Sequence, residues 1–439
     1  MNKLMKVILA PLIRRIKIEE DKIVHAVCRE MRKENSLLLG EIARNNYAVM
    51  KVPLLEEERI RIVFLFQVSS FWPSIEPFYE EVLNDPRFDV KLLCYDERYD
   101  RTIKTETSRQ YLENMGMDFV AYEDFDIDTY RPHVVVLQTP YDTNRAKKYK
   151  TVFLKGKGYR VVYIPYGIEI ADTGHAKEAH FSETVVQNCW RLYTLSDTMK
   201  QDYFKYCANA SAVRALGLPK FDALYHPEKF PMWDEVRKRA GGKKIVLWKV
   251  HFPKVIQERG KNILVTPYIE EYIEFAKQLA SYDDLFFVFM PHPRFREFNE
   301  DAQVKQNISI LMKYVEEGSN VYIDEHDDYR NSLINADYII VDRSAVMVEA
   351  GSVGVPVLYM YNPDFNEPLT KAILPLMSSY YQGTSCTDMK DFLVNCMQGK
   401  DPLKAEREKA FKECIPYFDG QCGRRIKEDI IEGMKMQYD

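Results

Sequence analysis

Three short polar runs interrupt the apolar stretches in the second half of this chain: Trp248-Lys249-Val250-His251-Phe252-Pro253, Met290-Pro291-His292-Pro293-Arg294-Phe295-Arg296 and Asp342-Arg343-Ser344-Ala345. Together they hold two imidazoles, several permanent cations and a hydroxyl at the head of a helix-forming segment. That is the donor set a pyrophosphate requires, because Arg, Lys and free backbone N–H groups all make charge-assisted bonds to its oxygens. A metal fits less well, since carboxylates are few and the cations would repel it. Pro291 and Pro293 fix the backbone on either side of His292 and so aim its imidazole. Ser344 has two readings: it opens a helix whose N–H groups and dipole favour an anion, or it is the N-cap of an ordinary strand-turn-helix unit. Glu349, on the same helix, either meets a ribose hydroxyl or solvates the helix face.

The hydrophobic pattern shows which elements must carry these runs. The stretch from Asp337 to Tyr361 reads as a strand over 338–341, the polar turn, a helix from Ala345 to about Val353, and a buried strand over 356–361. Before it, strands at 244–250, 285–290 and 321–323 alternate with helical patterns at 267–280, 302–315 and 329–335. An earlier series has strands at 62–68, 89–94, 133–137, 160–164 and 191–195, with helices at 75–83, 105–115, 145–155, 176–187 and 198–206. Such alternation specifies an α/β fold with parallel sheets covered by helices. The polar stretch from Tyr225 to Pro231 and the Gly241-Gly242 pair separate the two series. Doubly wound domains are expected at 59–230 and 231–420, with a helical segment at 1–58 and a terminal helix at 421–439. Ligands of such sheets bind beyond the carboxyl ends of the strands, so the cleft between the two domains is the expected site.

Composition narrows the class. A chain of 439 residues that is 46% hydrophobic and 29% charged can bury a full core,. Its net charge of −5 implies no general affinity for nucleic acid,. Residues 1–18 differ: Lys3, Lys6, Arg14, Arg15 and Lys17 precede the first acid, Glu19, with apolar residues between them. This basic amphipathic helix either lies on an anionic membrane surface or packs on its own protein. Pro11 and Arg14 break its apolar run, which argues against a signal peptide,. No stretch reaches the roughly 18 apolar residues of a membrane span. The eight cysteines show no ligand spacing and suit reduced core thiols in a cytoplasmic protein,.

On these motifs the chain resembles the CDP-glycerol glycerophosphotransferase family, which builds teichoic-acid and capsule-like polymers in bacteria. The likeness rests on Met290-Pro291-His292-Pro293, on Asp342-Arg343-Ser344-Ala345 followed by Gly354-Val355-Pro356-Val357-Leu358, on Gly217-Leu218-Pro219-Lys220-Phe221-Asp222, and on the strand before Trp248. It covers roughly residues 160 to 360. It implies a GT-B-like architecture of two Rossmann-like domains, the nucleotide held mainly by the second; no cofactor is expected. The donor side would comprise Lys249, His251, His292, Arg294, Arg296, Asp342, Arg343, Ser344, Ala345 and Glu349.

The first domain departs from the family. Where members carry Trp-His-Gly, with the His as base on the acceptor hydroxyl, this chain has Pro165-Tyr166-Gly167. A phenol with an unperturbed pKa of about 10 is a poor base at neutral pH. Either His175, His180 or Glu169 takes the role, with Tyr166 and Gly167 lining the acceptor side, or the reaction differs. Arg343, Ala345 and Lys220 replace the family's Tyr, Ser and Arg and mark a divergent branch.

The expected reaction is transfer of glycerol phosphate, or a related alditol phosphate, from CDP-glycerol or a similar nucleotide donor to a glycan or lipid-linked acceptor, releasing CMP. Residues 1–18 would keep the enzyme at the inner face of the cell membrane. A GT-B glycosyltransferase with a nucleotide-sugar donor fits the same pyrophosphate site. A non-catalytic nucleotide-binding or scaffold protein fits the loss of the base.

Overall fold

The computed structural model describes residues 59–95, 107–173, 180–207, 209–258, 261–365 and 368–435, with Ile23, Val27, Met31 and Leu38 upstream. The basic segment 1–18 and His175 lie outside the described residues.

Two parallel sheets form the frame. The first holds β1 (Ile60–Phe66), β2 (Phe88–Cys94), β3 (Val120–Ala121), β4 (Val134–Leu137), β5 (Arg160–Tyr163), β6 (Arg191–Thr194) and β7 (Val213–Ala215), ordered β3-β2-β1-β4-β5-β6-β7. In the second domain come β8 (Lys244–Val250), a hairpin of β9 (Val255–Glu258) and β10 (Lys261–Leu264), then β11 (Leu285–Pro291), β12 (Val321–Ile323), β13 (Tyr338–Val341), β14 (Val357–Met360) and β15 (Tyr381–Gly383). The second sheet is ordered β12-β11-β8-β13-β14-β15. Every residue of β11, LFFVFMP, is buried, which is why the strand reads as one apolar run: helices cover both faces of the sheet,. The strand order reverses between β1 and β4 and again between β8 and β13, the switch points beyond which sheets of this kind bind their ligands,. The chain is thus a GT-B-like α/β protein, two Rossmann-like units whose carboxyl edges meet. One apolar cluster crosses between them, from Leu137 and Tyr163 to Leu247, Met347 and Val348.

The helix Cys422–Lys435 returns to the first domain, where Ile426, Ile430 and Met434 are buried with Phe78 and Val82 of the helix Glu76–Leu83. Asp429 fixes its side, accepting from Tyr193 Oη at 2.7 Å and Arg191 Nε at 3.0 Å. Its N-terminus has a cap from far away in the chain: Asp222 Oδ1 accepts from the Cys422 N–H at 2.8 Å and Oδ2 from the Gly423 N–H at 2.7 Å.

Local details differ from the sequence reading for physical reasons. The helix expected over 145–155 spans only Thr151–Gly156, because the Asp142 carboxylate accepts from the Thr151 N–H at 2.9 Å and starts the helix there. The short strands β3, β7 and β15 went unread, being too brief to carry a pattern of two or more periods,.

Replacing Asp222 with Ala leaves two buried N–H groups at the head of the terminal helix unpaired. Urea denaturation should show a loss of about 1–3 kcal/mol, with Asp222→Asn recovering part of it.

Candidate functional site

The three polar runs meet because β11, β8 and β13 are neighbours. Lys249 lies in register with both Met290 and Val341, and the His292 N–H donates to Val250 O at 2.8 Å. Asp342 closes the floor of the crevice, its carboxylate accepting from the His251 N–H at 2.8 Å and from Tyr272 Oη at 3.2 Å. Lys249 is buried beside it, with Nζ 3.4 Å from Met290 O. Burial drives both toward neutrality, Lys249 down and Asp342 up, and the charge of each partly restores the other,.

Above this floor the rings of His251 and His292 stand 4.7 Å apart, Phe252 contacts both at 4.3 and 4.8 Å, and the Arg294 guanidinium lies 4.6 Å over Phe252. Hydrogen bonds assign the tautomers. The Arg294 N–H donates to His292 Nδ1 at 3.1 Å, so neutral His292 carries its proton on Nε2,. His251 Nδ1 donates to Phe252 O at 3.0 Å and leaves a lone pair on Nε2,. One ring therefore offers a donor and the other an acceptor. Burial, followed by the neighbouring Lys249, pushes His251 down to about 3; burial, then His251 and Lys249, lowers His292 as well. Neutral imidazoles ringed by Lys249, Arg294 and Arg343 make a place that favours an anion.

Ser344 does not cap. The helix spans Val346–Glu349, Ala345 occupies the cap position in helical conformation, and no side chain bonds the free N–H groups. The Ser344 hydroxyl is instead buried with no hydrogen-bond partner among the described residues. Its donor and acceptor capacity is left for something else, which corrects the N-cap reading. Glu349 is no solvated helix residue either: it is 1% exposed, and its Oε1 receives Lys220 Nζ of the first domain at 2.5 Å. Arg296 is not brought to the ring cluster in a free state, since it pairs at the surface with Glu316 at 2.7 Å and Glu325 at 3.0 Å.

Across the cleft, Tyr166 stacks on Phe71 with centroids 3.8 Å apart, and its N–H donates to Gln138 O at 3.1 Å. Gln138 Nε2 reaches Phe71 O at 2.7 Å, and the buried Arg145 ties Gln67 to Asp142 at 3.1 and 2.8 Å, so these loops form one hydrogen-bonded unit. Gly167 is half-buried beside them, with open space where a side chain would project. Glu169 lies in the interior, its carboxylate accepting from Tyr203 Oη at 2.6 Å, and burial raises its pKa. His180 is half-buried ahead of the helix Thr184–Asn188. Phe71 and Gln138 carry no charge to mark them in the sequence, and Arg145 is hidden at the head of an apparent helix. Their position just after strands β1 and β4 was the available signal.

Two other features lie elsewhere. A cavity of about 1040 Å³ opens beside the linker, walled by Glu76, Glu80, Lys229, Arg330 and Lys427. Much of its charge is internally paired, Arg330 with Asp328 and Lys427 with Glu81. Asp222, Asp419 and Cys422 stand close enough to hold an ion, but Asp222 caps the terminal helix and Asp419 pairs with Arg425.

The fold and the crevice define a class, the GT-B-like α/β proteins with a polar crevice at the switch point of the second sheet. No family model and no curated protein sequence matches the chain. Among solved structures it is similar to a protein classed as a UDP-N-acetylglucosamine 2-epimerase from Listeria monocytogenes, with a TM-score of 0.60 and 14% identity over 86% of this chain and 97% of that one. The UDP-GlcNAc 2-epimerase from Neisseria meningitidis bound to UDP-GlcNAc gives 0.56 and 13% over 85% and 100% of the two chains. A variant of the wall teichoic acid polymerase TagF with CDPG gives 0.57 and 12% over 95% and 99%. At these identities the likeness establishes the fold. No helix among the described residues is long and apolar enough to cross a membrane.

The depressed histidines set a pH dependence. Both bind protons less readily in the folded protein than at their ordinary value of 6.5. Their contribution to stability is therefore complete above that value and is lost as pH falls toward the folded pKa, where the unfolded chain is protonated first. The unfolding free energy should drop below pH 6.5 by up to about 1.4 kcal/mol per pH unit for each ring, and His292→Gln should flatten the slope,. NMR of the two imidazoles should show neither titrating between pH 5 and 8, a window in which unperturbed histidines do.

Proposed function

We propose that the chain is a transferase that moves glycerol phosphate, or a related alditol phosphate, from a CDP-linked donor to a hydroxyl of a glycan or lipid-linked acceptor. The observation that carries this reading is the cation-ringed set of side chains at the β8/β13 switch point, with a Ser344 hydroxyl that has no partner among the described residues and a His292 that keeps its proton on Nε2. It is supported by the motif resemblance and by the likeness to the TagF structure with CDPG, which covers nearly the whole chain. His292, Ser344 and Arg294 would hold the pyrophosphate, with Lys249 and Arg343 adding positive charge and Asp342 holding the His251 backbone in place. The acceptor oxygen attacks the phosphorus of the alditol phosphate, one P–O bond forms, the pyrophosphate P–O bond breaks, and CMP leaves with the electron pair. Positioning and charge neutralisation supply most of such a reaction.

The acceptor proton goes to a first-domain base. Glu169 is tied to Tyr203, which leaves His175 and His180 as the better candidates. Contact of residues 1–18 with the inner face of the membrane would bring the enzyme to a lipid-linked acceptor. A second reading is favoured by the epimerase likeness: the similar structure from Neisseria meningitidis holds UDP-GlcNAc, so a nucleotide-sugar donor suits the same fold.

A panel of CDP-alditols and UDP-, GDP- and CMP-linked sugars decides between them. Release of CMP from a CDP-alditol alone is the expected result, and release of UDP or GDP alone rejects it. His292→Ala should lower turnover by about a hundredfold, the usual loss when one donor to a developing anion is removed. Retained nucleotide binding with no turnover of any donor in wild type would instead mark a binding protein.

A further inference from the structure

We propose that Lys220 is a positioning residue that holds the two sides of the cleft in register. The names of those sides, acceptor loop and donor helix, rest on the function proposed above; the geometry does not. Lys220 follows β7 at the head of the helix Lys220–Leu224 and is 4% exposed. Its ammonium meets Glu349 Oε1 at 2.5 Å and the Tyr166 carbonyl at 2.8 Å. Taking two charges out of water carries a heavy penalty, offset only when geometry is good and further hydrogen bonds are made. The further bond made here is to the loop that stacks Tyr166 on Phe71. The carboxylate comes from the helix that starts at the Asp342-Arg343-Ser344 turn. One ammonium thus sets the distance between the loop of one domain and the anion-favouring turn of the other.

Other bonds already hold the domains together. Thr370 Oγ1 donates to Glu169 O at 2.8 Å, the Thr370 N–H to Ile170 O at 3.0 Å, and Arg330 of the second domain pairs with Glu76 of the first. Assembly therefore does not depend on Lys220, and what the residue adds is the alignment of Tyr166 with Glu349. In a reaction that runs on positioning, a misplacement of about 1 Å costs about a hundredfold.

The test compares Lys220→Met and Lys220→Arg with wild type at a temperature where melting curves show each folded; Lys220→Gln substitutes should Lys220→Met not fold. Amide hydrogen exchange is followed over 164–168 and 346–350. In Lys220→Met both segments should exchange about tenfold faster or more, and in Lys220→Arg neither should change appreciably. Unchanged exchange in both segments of the folded Met or Gln variant overturns the proposal, whatever the substrate. In the second arm, binding of CDP and CMP release from the active donor are measured. The kcat of Lys220→Met should fall by about a hundredfold while its CDP affinity stays within about threefold of wild type, and Lys220→Arg should recover most of the loss. A kcat that does not move, or a CDP affinity that falls as far as turnover, also overturns it. If wild type turns over no donor, the proposed function fails and the exchange arm alone decides the role of Lys220.

Discussion

The alignment of the two sides of the cleft depends on a buried ion pair, Lys220 with Glu349, drawn from opposite domains. A charge that has lost its water is tolerated only beside its partner, so every arrangement of the domains that separates these two atoms strands a carboxylate in an apolar surround. That constraint keeps the loop of Tyr166 facing the helix of Glu349. It also explains why Glu349 sits within an apolar cluster that runs unbroken from one sheet to the other, where an acid would otherwise be costly,. The neighbouring Tyr329 responds in kind, with burial and then the Glu349 charge raising its phenol well above the ordinary value.

A second constraint is the treatment of charge at the edge of the second sheet. Strand β8 delivers a lysine to a buried position at its carboxyl end, β13 delivers an aspartate beside it, and the two partly neutralise each other. The imidazoles above them are kept neutral by burial and by nearby cations. Neutral rings can donate or accept according to tautomer, and here backbone bonds on Nδ1 choose the tautomer of each. The same fold could hold a different ligand with little change of chain path, because the specificity of such an edge lies in a few post-strand side chains.

Much of this frame was legible in the sequence, and the rest was hidden for definite reasons. Strands such as β1 and β11 are apolar on both faces, so their runs stand out,. The convergence of Lys249, His292 and Asp342 followed from their common place at or just beyond the carboxyl ends of neighbouring parallel strands. Ser344 looked like an N-cap because serine favours that position, yet here Ala345 enters the helix without a capping side chain,. Arg145 looked like the start of a helix and is a buried strut between two loops. The Lys220–Glu349 pair joins residues 129 positions apart, a distance over which no local pattern carries information. The first domain's side of the cleft was the least legible, since it is built from stacked aromatic rings, amides and charges already paired within the fold.

The return of the helix Cys422–Lys435 to the first domain has a consequence for how the protein is made. Ile426, Ile430 and Met434 complete a core that includes Ile62 and Phe64, which lie more than 350 residues earlier in the chain. The carboxylate that caps this helix belongs to Asp222, also waiting in the earlier half. The first domain therefore cannot complete its core before the second has been synthesised, because the apolar face of the helix Glu76–Leu83 lacks this partner until then,. Domain order in the chain and order of completion are thus reversed, and this fourteen-residue helix is the closing stitch of the first domain.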